Sequence, residues 1–360
     1  MKNPIPLAKP ILGREERKAI IKVLKSGNLA QGNEVEQFEY EFSNYTNGRE
    51  CVAVNSGTSA LHLALLSLGI GAGDEVIVPS FTFAATANSV ALTGAKPVFV
   101  DVNPKTFNID PNLVEKAISK NTKAIQVVHL YGLPADMHQI CQIAEKFGLK
   151  VIEDAAQAHL SSIDDAPVGT FGDAAAFSFY PTKNMTSGEG GMIVFKNSEN
   201  ARLARLFRNQ GMAVRYQNEV VGFNLRMTDL HAAIGRTQLR KLPIWTEKRI
   251  RNAEYLSSHI DEASTPCAPR GFKHVFHQYT IKVDNRRNKL SEILSEQGIG
   301  NGIYYPTPVH KLPAFNSEIN LPETEKASKS VLSLPVHPSL TKNDLRRISD
   351  SVNRILHDLK

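Results

Sequence analysis

The sequence predicts an α/β fold in which a mainly parallel sheet is flanked by helices. Between residues 51 and 195, short apolar segments alternate with segments of helical periodicity. The apolar segments are hydrophobic throughout, as is typical of strands buried on both faces of a parallel sheet. After Leu242-Pro243 this alternation gives way to longer, more polar patterns. We therefore predict a large domain over residues 1–245 and a smaller C-terminal α+β domain over residues 246–360.

Two helices are predicted before the alternating region. Residues 14–26 form the first helix, which Gly27 ends, and residues 34–45 form the second. In the second helix, apolar residues recur every three or four positions, so that one face is hydrophobic. A helix with one apolar face packs that face against the rest of the fold.

The alternating region contains strands joined by crossover helices. Its predicted strands are residues 51–54, 75–78, 97–100, 124–128, 151–152, 174–179 and 192–195. Its predicted helices are residues 58–68, 84–92, 111–119, 137–147 and 200–209. Neighbouring parallel strands need such crossovers, which supports the parallel arrangement.

The C-terminal region shows a different pattern of predicted helices and strands. Its predicted elements are a helix over 245–260, a strand over 275–283, a helix over 286–296, a proline-rich loop over 303–315 and a closing helix over 342–359. The predicted strand alternates apolar and polar residues, which indicates that one of its faces is exposed.

Composition excludes several classes of function. Of 360 residues, 42% are hydrophobic and 22% charged, as in ordinary globular proteins. The net charge of +6 forms no basic stripe interleaved with aromatic residues, so nucleic-acid binding is not predicted. Three cysteines without a CxxC pair predict neither disulfides nor a thiolate zinc site. Neither a signal peptide nor a membrane helix is recognisable, so we expect a cytoplasmic protein that does not bind membranes.

A lysine and an aspartate indicate the chemistry of the chain. Lys183 follows the predicted strand 174–179 and precedes the glycine-rich segment 188–191, while Asp154 follows the strand 151–152. Open α/β sheets bind ligands at the carboxyl ends of their strands, where both residues fall. Pyridoxal 5′-phosphate (PLP) needs a lysine that bonds to its aldehyde and a carboxylate that keeps its pyridine nitrogen protonated. Each residue alone would be a surface lysine or a turn residue, but together they predict a PLP site.

Other features at predicted strand ends have two interpretations each. The turn 55–60 could offer helix N–H groups to a phosphate, but the motif alone favours simple capping by Ser56. Phe83 could stack on a heteroaromatic ring or belong to the core. Ser178 could reach a phosphate or satisfy a strand end. His159 has no companions at metal-ligand spacing, so we predict no metal site.

Four motifs occur in an order that resembles one known family. They are Asn55-Ser56-Gly57-Thr58, Asp154-Ala155-Ala156-Gln157, Ser178 with Lys183-Asn184, and Gly188-Glu189-Gly190-Gly191. On these residues the chain resembles the DegT/DnrJ/EryC1/StrS family of PLP-dependent nucleotide-sugar aminotransferases, which have the aspartate aminotransferase fold (fold type I). The resemblance runs nearly end to end. It implies that the large domain binds PLP, with an N-terminal segment able to pack on the small domain.

The resemblance implies a role for each site residue. Lys183 would bond to the cofactor, and Asp154 would pair with its pyridine nitrogen. The other cofactor-binding residues would be Gln157 at the ring hydroxyl, Phe83 stacked on the ring, and Thr58, Ser59 and Ser178 at the phosphate. Asn224 would reach the phosphate of a neighbouring subunit, which implies a homodimer with shared active sites.

The resemblance also implies the reaction. L-Glutamate would donate an amino group to a nucleotide-linked keto-deoxy sugar, in amino-sugar, polysaccharide or antibiotic-sugar biosynthesis. Residues 183–191 look more like relatives acting at the 4-position of the sugar, since those acting at the 3-position more often carry Gly-Asp-Gly-Gly. A cyclitol ketone is an alternative acceptor. Lys183 argues against a dehydratase, in which histidine replaces the lysine, and the Lys183–Asp154 pair argues against a non-catalytic regulator that binds PLP or a nucleotide sugar.

Overall fold

The structure, a computed structural model, describes residues 3–360. The strands in this range are Glu50–Val54 (β1), Glu75–Pro79 (β2), Lys96–Val100 (β3), Thr122–Val128 (β4), Lys150–Asp154 (β5), Ser162–Ile163 (β6), Ala166–Pro167 (β7), Ala174–Ser178 (β8), Gly191–Phe195 (β9), Met212–Val214 (β10), Gln217–Asn218 (β11), Phe272–Lys273 (β12), Tyr279–Lys282 (β13) and Val331–Leu334 (β14).

Helices connect and cover these strands. The α-helices are Arg14–Ser26 (α1), Asn33–Ser43 (α2), Gly57–Ser67 (α3), Ala85–Leu92 (α4), Pro111–Ala117 (α5), Met137–Phe147 (α6), Ser198–Arg208 (α7), Asp229–His259 (α8), Arg287–Glu296 (α9), Pro322–Ser330 (α10) and Lys342–Asp358 (α11). Short 3₁₀ turns occur at Leu130–Gly132 and Val309–Lys311. Among residues 3–360, no helix combines the length and the apolar character that crossing a membrane requires.

The central sheet of the described chain has seven strands in the spatial order β1-β9-β8-β5-β4-β2-β3. Strand β9 runs antiparallel to both of its neighbours, and the remaining neighbours pair in parallel. Every residue of the interior strands β8 and β9 is buried. The predicted α/β fold with a mainly parallel sheet flanked by helices is confirmed.

Two helical layers cover the sheet because successive strand residues point to opposite faces. On one face, Val52 and Val54 of β1 share a core with α3, α4 and α7. On the other face, Cys51 and Ala53 pack with α2 and α8. Helices α5 and α6 cover the same second face over β2, β4 and β5. Burial on both faces explains why the strands are apolar throughout rather than alternating.

The C-terminal part of the chain forms a second core. Strands β13 and β14 pair antiparallel and pack with α9, α11 and the end of α8. Ile5, from the N-terminal segment, is buried in the same cluster. The Asp101 carboxylate, just after β3, accepts the N–H groups of Glu323 and Thr324 at 2.9 and 2.7 Å, and so ties this part to the sheet. The division into domains 1–245 and 246–360 stays a prediction.

Helix α8 is longer than the sequence predicts. The expected helix begins at Trp245, whereas α8 begins at Asp229 and continues through Pro243. Thr228 caps it, because its hydroxyl accepts the N–H of His231 at 3.3 Å. A proline inside a helix costs about 3 kcal/mol, but α8 packs against α1, α2 and α11, and this burial outweighs the loss. Residue 245, the expected domain boundary, therefore lies inside a continuous helix.

The contact between α8 and α2 predicts a destabilising substitution. A Cβ added to Gly235 would lie 2.7 Å from Cζ of Phe38, closer than side chains pack. Although alanine is the better helix former by about 1 kcal/mol, we expect Gly235→Ala to lower the free energy of unfolding by about 1–3 kcal/mol, because the ring or the helix must move. Chemical denaturation measures the change. Arg240→Ala, at an exposed position of α8, is the control and should stay within about 0.5 kcal/mol of wild type. Unchanged stability of Gly235→Ala would contradict the helix contact.

Candidate active site

The predicted site residues gather at one edge of the central sheet. Asp154 is the last residue of β5, and Ser178 is the last residue of the neighbouring parallel strand β8. Lys183 lies in the turn that follows β8, and Phe83 lies shortly after β2. Parallel strands end at the same edge, so the sheet itself brings these side chains together.

Asp154 is a buried carboxylate with two hydrogen-bond donors. The hydroxyl of Thr86 donates to its Oδ2 at 2.8 Å, and the N–H of Ala156 donates to its Oδ1 at 3.2 Å. Burial raises the pKa of Asp154, while these two donors and the charge of Lys183 counteract the rise. An ionised carboxylate has about four lone-pair sites, so Asp154 keeps capacity for a further N–H donor.

Lys183 is half-buried in the turn after β8. Its backbone N–H donates to the carbonyl oxygen of Tyr180 at 2.9 Å. Burial lowers the pKa of the Lys183 amine to about 8, and the charge of Asp154 opposes that shift. The site therefore holds an amine that is partly neutral near pH 8 and that interacts with the carboxylate of Asp154. A neutral amine is the form that acts as a nucleophile or a base.

The start of α3 lies against the end of β8. A Cβ on Gly57 would lie 2.7 Å from Cβ of Ser178, so only glycine permits this approach. The hydroxyl of Ser56 caps the helix by accepting the N–H of Ser59 at 3.1 Å. This is the capping that the sequence analysis expected of the turn 55–60. The Ser59 hydroxyl donates to Oδ1 of Asn55 at 2.7 Å. Beyond the cap, the first N–H groups of a helix, here those around Thr58, are free to bind a phosphate.

Gln157 connects the site to a residue that the sequence analysis missed. Its Oε1 accepts the N–H of Tyr131 at 2.7 Å, and its Nε2 donates to the hydroxyl of Tyr305 at 3.1 Å. Phe83 is 59% exposed, and its ring centroid lies 6.0 Å from that of Tyr305. Tyr305 comes from the segment predicted as a proline-rich loop. The only sequence signal was the pair Tyr304-Tyr305 before a proline, which has no periodicity.

Asn224 and His159 differ in their surroundings. Asn224 is exposed on a segment that forms a β-bridge with Asn209, and the carbonyl oxygen of Leu225 accepts the N–H of Asn55 at 2.9 Å. Asn224 thus lies at the surface beside the start of α3, and its role toward a neighbouring subunit stays a prediction.

His159 is buried, and burial lowers its pKa to about 3, so it is neutral and cannot act as an acid near pH 7.

The residues at this edge fit PLP. Because Gly57 has no Cβ to clash with Ser178, the N–H groups at the start of α3 and the Ser178 hydroxyl lie close together, as donors to one anion must. Phe83 offers an exposed aromatic face, and Asp154 can accept a hydrogen bond from a protonated ring nitrogen. Lys183 carries an amine that would bond to the aldehyde of PLP. Asp154, Ser178 and Lys183 lie on adjacent strand ends, as one cofactor requires.

The sequence profile of the DegT/DnrJ/EryC1/StrS aminotransferase family matches residues 10–353. The chain belongs to this family. The expected resemblance is therefore confirmed, and with it the assignment of the chain as a PLP-dependent transaminase of fold type I.

Curated relatives match over most of their length. The UDP-N-acetyl-3-dehydro-alpha-D-glucosamine 3-aminotransferase of Acidithiobacillus ferrooxidans is 42% identical over 93% of this chain and 92% of that protein. The dTDP-3-amino-3,4,6-trideoxy-alpha-D-glucose transaminase of Streptomyces venezuelae is 41% identical over 95% and 92%. A protein named pleiotropic regulatory protein, from Geobacillus stearothermophilus, is 42% identical over 94% and 93%.

Solved structures share the fold. The aminotransferase DesV of S. venezuelae, solved in complex with a ketimine intermediate, is 40% identical with a TM-score of 0.92 and covers 95% of this chain and 94% of its own. The PLP form of the putative sugar aminotransferase Spr1654 from Streptococcus pneumoniae is 26% identical with a TM-score of 0.95. It covers 99% of this chain and 100% of its own. Family and structures together confirm PLP as the cofactor.

The lowered pKa of Lys183 predicts the pH dependence of its reactivity. Below pH 8 the amine is protonated, so we expect its rate of acetylation by acetic anhydride in the cofactor-free protein to fall about tenfold per pH unit and to level off above a midpoint near 8. Peptide mass spectrometry reads Lys183 separately, and exposed Lys18 gives a reference reactivity. A midpoint near 10.4, the ordinary value for lysine, would show that burial does not act on this amine.

Proposed function

We propose that the protein transfers an amino group from L-glutamate to a nucleotide-linked keto sugar. The observation that carries the proposal is the pairing of Lys183 with Asp154 at adjacent strand ends, next to the N-terminus of α3. The two relatives named above as sugar transaminases support the class of acceptor.

The side chains divide the work of the reaction. When bound, PLP supplies an electron sink that stabilises negative charge on the carbon of the amino donor. Asp154, whose Oδ2 is held in place by the hydroxyl of Thr86, would keep a proton on the ring nitrogen. The neutral amine of Lys183 would take the proton from the donor carbon and deliver it to the cofactor carbon on the other side of the shared nitrogen. Gln157 and Phe83 orient the ring, and Ser178 and the start of α3 hold the phosphate.

The position of amination is the finer part of the proposal. The loop 183–191 favours the 4-position, and this preference stays a prediction. The names of the relatives from A. ferrooxidans and S. venezuelae contain 3-amino or 3-dehydro sugars instead. Both ketones therefore belong in the assay, and a cyclitol ketone tests the alternative acceptor.

A non-catalytic regulator is the second candidate, because one relative is named a pleiotropic regulatory protein. Binding alone does not require both a lysine whose pKa is lowered to about 8 and a buried carboxylate beside it. Catalysis is therefore the preferred function.

The cytoplasmic location of the protein also stays a prediction.

The visible absorption spectrum of the protein with PLP, before and after L-glutamate, tests the reaction. We expect the band of the lysine-bound cofactor to disappear as the aminated cofactor forms, and the band to return when a nucleotide 3-keto or 4-keto sugar accepts the amino group. Mass spectrometry identifies which ketone is aminated. Lys183→Ala is the control, and it should fold but show neither change. A wild-type spectrum that L-glutamate leaves untouched would exclude glutamate as the donor, and normal turnover by Lys183→Ala would refute the mechanism.

We also propose a homodimer in which Asn224 binds the cofactor phosphate of the neighbouring subunit. Asn224 is exposed in the single chain, and Val214, Tyr216 and Val221 of the adjoining hairpin expose 57%, 79% and 91% of their surface. Exposed apolar side chains grouped on one segment are typical of a surface that another protein covers. A second copy of this chain is the partner that a shared site requires.

Asn224→Ala should weaken PLP binding in the dimer. Loss of one hydrogen bond to a charged group predicts a rise in the PLP dissociation constant of about tenfold to a hundredfold. Equilibrium dialysis measures it, with sedimentation analysis of the oligomeric state. Asn121→Ala changes an exposed asparagine just before β4, away from the site, and serves as the control. Unchanged PLP affinity would remove the reason for a site shared between subunits.

A further inference from the structure

Arg249 is a buried cation that the proposed mechanism does not use. It lies on α8 and is only 6% exposed. Its side chain lines a small cavity together with Lys183, and Lys9, Trp245 and Pro338 line the same cavity. Arg249 and the candidate cofactor-binding lysine thus line the same cavity.

The guanidinium of Arg249 is incompletely satisfied by the protein. Its Nη1 donates to the carbonyl oxygens of Phe276 at 3.3 Å and His277 at 3.5 Å. Its Nε is buried and has no acceptor. Within residues 3–360, no carboxylate forms an ion pair with Arg249 at 4.0 Å or less. Burial lowers the pKa of Arg249 to about 10, so the group is still a cation near neutral pH.

The surroundings offer this charge no compensation. His277 and His337 lie near it, and burial lowers the pKa of each, so both are neutral near pH 7. Buried charges in proteins are normally paired, because an unpaired one forfeits its hydration. A buried cation with an unused N–H donor, facing a cavity that a lysine also lines, is therefore suited to an anion.

The size of the cavity limits what the anion can be. Its volume is about 20 Å³, room for a group the size of one water molecule or one carboxylate oxygen. A phosphate group is too large for it. The oxygen of a carboxylate fits, provided that the rest of the molecule lies toward Lys183, where an amino donor must be.

We propose that Arg249 binds a carboxylate of the amino donor. This inference rests on the proposed function and specifies how its two substrates differ. The amino acid and the corresponding keto acid carry the carboxylate that Arg249 recognises. A neutral deoxy sugar carries none at its reacting end, so Arg249 serves the donor half-reaction alone.

The two half-reactions provide the test, because they share every catalytic group. In the first, L-glutamate aminates the cofactor; in the second, run in reverse, the nucleotide amino sugar does so. For Arg249→Met we expect the apparent dissociation constant of L-glutamate to rise about tenfold to a hundredfold, as for loss of a charge-assisted contact. The constant for the amino sugar should change less than about threefold. Arg251→Met alters an exposed arginine two positions further along α8 and is the matched control.

A binding measurement separates recognition from chemistry. Glutarate has two carboxylates and no amino group, and Trp245, the only tryptophan of the chain, lines the cavity. We expect glutarate to change the Trp245 fluorescence of the holoenzyme, and Arg249→Met to abolish the saturable change. Arg249→Lys keeps the charge without the planar fork, so it should recover part of the affinity.

Two results would overturn the assignment. Equal losses in both half-reactions, with glutarate binding unchanged, would show that Arg249 only supports the backbone at Phe276 and His277. Unchanged affinity for both L-glutamate and glutarate in Arg249→Met would show that the donor carboxylate binds elsewhere. If wild-type enzyme binds glutarate but takes no amino group from L-glutamate, the proposed donor fails while the carboxylate site stands.

Discussion

A buried carboxylate and an amine whose pKa is lowered to about 8 lie at the same edge of the sheet, and the rest of the site depends on this combination. Burial lowers the pKa of Lys183 and raises that of Asp154, so it helps the amine and works against the carboxylate. The hydroxyl of Thr86 and the N–H of Ala156 compensate Asp154 alone. Burial therefore brings the pKa values of the two groups closer to each other, which is how protein sites prepare side chains for acid–base chemistry near neutral pH.

The position of Asp154 depends in turn on a second carboxylate beneath it. Glu153 is fully buried, yet its pKa is lowered, because His129 and three N–H groups of the loop 169–172 outweigh the effect of burial. Nδ1 of His129 accepts the N–H of Ala135 at 3.0 Å, so its proton lies on Nε2, which donates to Glu153 at 3.1 Å. This network connects the ends of β4 and β5 with the loop that leads into β8. The strands that position the candidate site residues are thereby fixed relative to one another.

Local sequence signals determined the fold and the strand ends, but not the residues that packing brings in from far along the chain. Uniformly apolar segments identify strands buried on both faces. Residues that follow these strands, such as Asp154 and Lys183, are therefore predicted to lie at the carboxyl-end edge of the sheet. Tyr305 and Arg249 reach the site through contacts with Gln157 and the Lys183 cavity, and no periodicity marks them. Pro243 shows the converse, because its local signal predicts a break that the packing of α8 overrides. Helix α10 and strand β14 were not predicted, because β14 follows the helix directly and no turn residues separate the two.

The charges around Lys183 also bear on how one lysine can serve two unlike substrates. Burial and the charge of Asp154 set the pKa of the Lys183 amine, while Arg249 lines a cavity with Lys183 and has no acidic partner there. A donor carboxylate at Arg249 would pair with the guanidinium and leave the groups that set the pKa of Lys183 unchanged. The keto sugar brings no carboxylate at its reacting end, so the arginine would distinguish the two substrates by binding alone. The same amine, with one basicity, would then serve both half-reactions without any change in the fold.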